Sequence, residues 1–484
     1  MGPRTVLVAL LGSLSLLAQA SALELKDCRI QNTEGTVSTP AQCGLFQVPE
    51  NPDEPLGKQI ELFVARVPTL NQQRSEQAFV LLAGGPGQAA SEAYASSQQA
   101  FERIRRSHDI LLVDQRGTGK SNRMACNFSA ETEALDWDDE ETTRALKDCH
   151  DHLPGDPRYY TTSVAVRDLD AVRAALGYTQ LVLYGGSYGT LVAQHYLRRY
   201  PDQTRSVILD GVVPPGATLA TDIALNAQLA LEQVFARCLQ DTTCNNSYPE
   251  LAAAFDRVAG RLKAEAVELD ISDPMTAKPL HLTLGYDLMA AGIRLLSYRP
   301  ETIALIPLTI NEADKGNYGP LAAQSLLSVS SLNDMLALGM HNAVMCTEDI
   351  PFVDLQTVDM AALEHTYLGT DQLNGLRKIC EIWPRGLADP DIKQPVVSNV
   401  PVLLLSGEAD PVTPPAYADQ VAATLQNSRH LVGPGQGHGM ISVGCVSRLV
   451  ADFTRDGLLD KLDGECVQQM GPSPFFLDFN GPTP

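Results

Sequence analysis

The sequence predicts an α/β fold: a mostly parallel sheet with helices on both faces and a large helical cap inserted into it. Three observations predict it. Short apolar runs of strand length end in glycine-rich turns. The stretches between them repeat apolar residues at helical spacing, and one long block without this rhythm interrupts the series.

In chain order, residues 79–83 (FVLLA) form the first run, closed by Gly84-Gly85-Pro86-Gly87. Residues 109–113 (DILLV) form the second, closed by Asp114-Gln115-Arg116-Gly117. Unbroken apolar runs suit strands covered on both faces, as in a parallel sheet. Over 164–176 the apolar positions recur at helical spacing and Gly177 is the stop. Residues 181–184 (LVLY) then run into Gly185-Gly186-Ser187-Tyr188-Gly189, and 191–200 reads as a helix ended by Pro201. Further strands are expected at 207–209 and, after a long gap, at 401–405 (PVLLL). Between 214 and 397 the pattern is of helices, such as 224–239 and 251–264. The expected organisation is therefore a signal peptide at 1–22, a sheet domain at 23–213 and 398–484, and a helical cap at 214–397.

The signal is read from Arg4, the apolar run 6–17 and the small-x-small site Ala20-Ser21-Ala22, in the order an export peptide requires. That run is short for a bilayer span, so no membrane anchor is expected. The chain is expected to be exported, to a periplasmic or secreted extracellular destination. A hydrophobic content of 44% with 19% charged residues belongs to a globular protein, and a net charge of -22 repels phosphates and argues against a nucleic-acid partner. Ten cysteines suit an oxidising compartment. Sequence order pairs Cys28 with Cys43, Cys126 with Cys149, Cys238 with Cys244, Cys346 with Cys380 and Cys445 with Cys466. No C-x-x-C pair occurs, and His150-Asp151-His152 lacks accompanying ligands, so neither a metal nor a cofactor is expected.

Gly185-x-Ser187-x-Gly189 has the form in which small residues permit a sharp strand-to-helix turn that holds a serine hydroxyl out above a sheet. A serine nucleophile needs a base, and the base needs an acid to fix its tautomer. His438 in Gly435-Gln436-Gly437-His438-Gly439 is the expected base, and Asp410, after the strand 401–405, the expected acid. Asp210 also follows a strand and Glu408 is close, so both remain alternative acids. Donors for the developing oxyanion are expected from the backbone N–H groups of Tyr188 and Gly85. Gly117-Thr118-Gly119-Lys120-Ser121 resembles the end of a phosphate loop, but Asp114 stands where that loop requires glycine.

Gly84-Gly85-Pro86-Gly87, Asp114-Gln115-Arg116-Gly117-Thr118-Gly119-Lys120-Ser121, the GGSYGT run from Gly185, and the Asp410 and His438 loops together resemble the prolyl aminopeptidase and tripeptidyl aminopeptidase group of α/β-hydrolases, in particular its exported branch. The resemblance covers essentially the whole chain after the signal. Ala83 departs from the histidine that many members carry before GGPG. The resemblance implies cleavage near a free peptide N-terminus through an acyl-enzyme on Ser187. It also implies a negative site for the substrate ammonium, for which Glu348, with Asp349 beside it, is the candidate in Met345-Cys346-Thr347-Glu348-Asp349. A secreted carboxylesterase with the same three residues is the alternative.

Overall fold

The computed structural model describes residues 23–73, 75–126 and 140–482; the expected signal, 1–22, lies outside them. The strands in chain order are β1 (Lys26–Gln31), β2 (Ser38–Pro49), β3 (Gln59–Val67), β4 (Gln77–Leu82), β5 (Asp109–Val113), β6 (Gln180–Gly186), β7 (Thr204–Asp210), β8 (Val267–Ser272), β9 (Pro279–Leu284), β10 (Val402–Gly407) and β11 (Ser428–Gly433). Nine of them form one sheet in the order β1-β2-β3-β5-β4-β6-β7-β10-β11. From β5 through β4 to β11 every pairing is parallel, while β1, β2 and β3 add an antiparallel ribbon along one side.

The apolar runs are continuous because both faces of the sheet are covered. Along β4, Ala78, Val80 and Leu82 join one core cluster, while Phe79 and Leu81 join the other. Along β10, Val402 and Leu404 face the first cluster and Leu403 and Leu405 the second. Helices Thr162–Ala175 and Tyr188–Arg199 cover the first face through Val166, Leu169, Val192 and Tyr196. Helices Ala90–Phe101 and Val446–Asp456 cover the other through Tyr94, Phe101, Leu449 and Phe453. Register aligns the strand ends: Leu82 lies opposite Gly185, Gly186 opposite Asp210, and Asp210 opposite Leu405. The loops leaving β4, β6, β7 and β10 therefore converge at one edge, the carboxyl edge, where sheets of this kind place ligands.

Between β7 and β10 the chain leaves the sheet. Helices Leu219–Gln240, Leu251–Ala264, Tyr286–Leu296 and Gly319–Met335 enclose a third cluster around Leu231, Phe255, Ile293 and Leu321. This segment is not wholly helical, since β8 and β9 form an antiparallel hairpin. Val267, Leu269 and Ile271 are half-buried while the residues between them are exposed, an alternation of period two that turns one face inward. The later part of the segment packs elsewhere: Met340, Val344, Leu376 and Trp383 belong to the sheet's first cluster. Five disulfides form, in the pairs expected from sequence order.

Candidate active site

Ser187 follows β6 and precedes helix Tyr188–Arg199, with φ 55° and ψ -125°. A non-glycine residue in this region carries backbone strain, held in place by its surroundings. Those surroundings leave no room for a side chain at Gly185 or Gly189. A Cβ at Gly185 would stand 2.3 Å from the Gly189 carbonyl oxygen, and one at Gly189 would stand 2.2 Å from that of Leu82. The Ser187 N–H donates to the Asp210 carbonyl at 2.9 Å, which fixes the turn to the end of β7. Ser187 itself is half-buried, whereas Tyr188 after it is buried.

Asp410 and His438 meet: His438 Nδ1 lies 2.8 Å from Asp410 Oδ2. The other carboxylate oxygen accepts the N–H groups of Val412 and Thr413 at 2.9 and 2.8 Å, and the Thr413 hydroxyl donates to Oδ2 at 2.7 Å. In neutral His438 this places the proton on Nδ1 and leaves Nε2 as an acceptor. Burial disfavours the imidazolium, but the Asp410 charge and hydrogen bond, with Asp210 adding to them, outweigh burial and the opposing Arg294 charge, so the His438 pKa is raised.

The two alternative acids hold the histidine loop instead. Asp210 accepts Met440 N–H at 2.7 Å on one oxygen, and Ile441 N–H at 2.9 Å and Tyr184 Oη at 2.7 Å on the other. Glu408 accepts Gly435 N–H at 2.8 Å. Three carboxylates thus surround one loop, and Asp410 is the one that contacts the imidazole.

Gly84 comes so close to the serine that an added Cβ would sit 3.1 Å from Ser187 Cβ, and Gly85 takes φ +104°. The glycine loop is held by His341 Nδ1 against the Pro86 carbonyl at 3.1 Å and by Ala337 N–H donating to the Gly87 carbonyl at 3.0 Å. Tyr188 is anchored through its phenol, which meets Thr162 Oγ1 at 2.6 Å and accepts Gln115 Nε2 at 3.1 Å. As the first residue of its helix, Tyr188 has an N–H with no intrahelical partner.

Glu348 and Asp349 are both buried. Asp349 gives both oxygens to the start of helix Leu219–Gln240, accepting Leu219 N–H at 2.7 Å and Ala220 N–H at 3.0 Å. Glu348 Oε1 accepts Thr162 N–H at 2.7 Å, and burial pushes its pKa up to about 7. It lines a cavity of about 20 Å³ with Thr162, Leu191, Gln194, His195 and Lys393. The pair is therefore tied to backbone amides and makes no hydrogen bond to Ser187, Asp410 or His438 among the described residues. Its link to the serine passes through Thr162, whose N–H it accepts and whose Oγ1 meets the phenol of Tyr188 at 2.6 Å.

Two contributors lie outside the sequence reading. Thr413, which bridges Asp410 and His438 (3.2 Å to Nδ1), carries the signal of an Asp-x-x-Thr turn. Tyr298, from the segment between β7 and β10, carries none: its carbonyl accepts His438 N–H at 2.7 Å and its ring stands edge-on, 5.1 Å from the imidazole.

The family model described as alpha/beta hydrolase fold matches residues 77–444. The serine protease Hip1 of Mycobacterium tuberculosis is 25% identical over 92% of this chain and 91% of its own length. The tripeptidyl aminopeptidase of Streptomyces lividans is 25% identical over 94% and 89%. Carboxylesterase B of Mycobacterium tuberculosis is 27% identical over 88% and 86%.

Proposed function

The chain belongs to the α/β-hydrolase fold family, and from that premise we propose that it is an exported serine peptidase that removes one residue or a short di- or tripeptide unit from free peptide N-termini. The observation that carries this reading is the 2.8 Å contact of His438 with Asp410 at the strand edge where Ser187 occupies its strained turn. The similarity to Hip1 and to a tripeptidyl aminopeptidase supports peptide over other acyl substrates. Five disulfides support an oxidising, exported setting.

In this reading Ser187 Oγ attacks the scissile carbonyl carbon while His438 Nε2 takes its proton. The carbonyl oxygen gains charge facing the N–H groups of Tyr188 and Gly85. The imidazolium, stabilised by Asp410, returns the proton to the departing amine as the C–N bond breaks. Water, deprotonated by the same histidine, then releases the acyl group. The substrate ammonium needs a carboxylate at fixed reach from Ser187. Asp349 commits both oxygens to a helix start whereas Glu348 commits only Oε1, so Glu348 is the member of the pair we assign to it, joined to the residue after the nucleophile through Thr162. A Glu348→Gln variant is expected to raise KM with kcat less affected; unchanged kinetics would remove the assignment.

The test is hydrolysis of matched one-residue and three-residue chromogenic amides with free or acetylated N-termini, by the protein and by Ser187→Ala. Turnover confined to free amines and lost in Ser187→Ala is the expected result and reads out the step length. The similarity to carboxylesterase B favours a second reading, an esterase, which predicts turnover of simple esters and indifference to acetylation.

A further inference from the structure

Arg294, on helix Tyr286–Leu296, makes no ion pair among the described residues, although the chain carries a net charge of -22 and several other half-buried arginines find carboxylates, as Arg173 does with Asp170 at 2.6 Å and Arg167 with Asp389 at 3.2 Å. Its Nη1 donates to Tyr298 Oη at 2.9 Å, and its guanidinium carbon lies 5.7 Å from the centre of that ring. Tyr298 is the residue that packs edge-on against His438. A second group nearby also lacks a partner. Tyr367 is only 5% exposed, yet its hydroxyl makes no hydrogen bond among the described residues, while its carbonyl takes the Tyr286 hydroxyl at 2.6 Å. Tyr286 opens the helix that carries Arg294, so this bond ties Tyr367 to that helix; burial raises the Tyr367 pKa and the Arg294 charge opposes the rise.

A cation without an ion pair, one tyrosine away from His438, and an unpaired buried hydroxyl on a residue bonded to the same helix make a receptor for an anion. A guanidinium presents paired donors that match a carboxylate, and a phenol supplies a further donor. Their place fixes which part of a substrate they meet. His438 gives its proton to the leaving amine, so groups that flank it face the departing half of the substrate rather than the acyl half. We propose that Arg294 and the Tyr367 hydroxyl form a carboxylate-binding subsite on the leaving-group side of Ser187. The subsite favours short peptides whose departing portion carries a carboxylate. That carboxylate is either the free C-terminus of a one-residue leaving group or an acidic side chain at the first departing residue. This specificity rests on the peptidase reading; the subsite itself does not.

The experiment compares kcat/KM for free-amine peptides that differ only in the departing residue: alanine acid against alanine amide, and aspartate amide against asparagine amide. A preference of about tenfold for the carboxylate, the size of one charge-assisted hydrogen bond, is expected in one or both pairs and tells the two sources apart. Arg294→Gln is expected to bring the ratio close to one. Arg294→Lys should keep part of it, and Tyr367→Phe should lower it. Each ratio is taken on one enzyme preparation, so the folded fraction cancels. A parallel arm follows inhibition of Ser187-dependent hydrolysis of a neutral acyl ester by alanylalanine and by its amide. Stronger inhibition by the acid, lost in Arg294→Gln, would uphold the subsite even if no peptide is cleaved, in which case only the peptidase reading fails. Ratios near one in the unaltered protein, or a preference that survives Arg294→Gln, would overturn the proposal.

Discussion

At the scale of single residues, three carboxylates crowd the His438 loop with different contacts, and the contacts separate their roles. Asp410 is the one on the imidazole, so Asp410→Asn, which presents an amide where Nδ1–H needs an acceptor, is expected to lower kcat by about four orders of magnitude. Asp210→Asn leaves the imidazole contact in place but cannot accept Met440 N–H, Ile441 N–H and the Tyr184 hydroxyl together. It should destabilise the protein by about 1–3 kcal/mol and reduce kcat far less. Steady-state kinetics beside thermal melts check the pair, and an inactive Asp210→Asn of unchanged stability would reverse the two roles. The raised His438 pKa has its own consequence. Since attack needs the neutral base, kcat/KM should fall as pH drops through a value above the ordinary 6.5 of histidine. In Asp410→Asn the inflection should move down, because the group that favours the imidazolium is gone. Ser187, Asp410 and His438 are legible in the sequence since each follows a strand or sits between glycines. Arg294 and Tyr298 are not, because only the folding of a distant segment brings them to His438.

At the scale of elements, strands read clearly where burial on both faces makes them continuously apolar, as in β4, β5, β6 and β10. Strands β1 and β2 escape that reading because exposed residues recur through them, and β11 because Arg429 and His430 interrupt its apolar run. The hairpin β8–β9 is hidden for the same reason: half of each strand faces water. The turn Met345–Asp349 ties several elements together, with Asp349 at one helix start, Glu348 at another and Cys346 bonded to Cys380. Glu348 also gives this turn a pH response. Its pKa rises from 4.5 to about 7 through burial, against the hydrogen bond from Thr162 and the Lys393 charge and with the Asp389 charge. Between those values the carboxyl is protonated in the fold and ionised in the unfolded chain, so stability falls as pH rises from 4.5 to 7. Glu348→Gln keeps an acceptor for Thr162 N–H and removes the ionisation. It is expected to match the parent protein at pH 4.5 and to exceed it at pH 8 by on the order of 3 kcal/mol. Denaturant unfolding at both pH values measures this, and an equal effect at the two would show that ionisation of Glu348 is not its source.

At the scale of the whole molecule, the segment between β7 and β10 supplies part of the site's support, so its docking and the chemistry are linked. Tyr298 holds the backbone and ring of His438, and Leu336 and Ala337 lie against the loop that carries Gly85. The C-terminal tail fastens this segment. Phe475 is buried in the segment's own core, the guanidinium carbon of Arg237 lies 3.8 Å from the centre of its ring, and Phe476 bonds through its backbone to Ala304 and to the Tyr248 hydroxyl. The same tail passes Gly435, three residues before His438, where Pro472 leaves no room for a Cβ. Phe475→Ala would empty a space in that core at a cost of about 3–5 kcal/mol. If docking of the segment aligns His438, kcat should fall together with the melting temperature, and both should recover in Phe475→Leu, which refills most of the space. The measurement is kcat per active site, with sites counted by a serine-directed phosphonate at a temperature well below the melt. A lowered melting temperature with an unchanged kcat per site would mean that Tyr298 keeps its place without the tail, and that Asp410, Asp210 and Glu408 are enough to set the histidine loop.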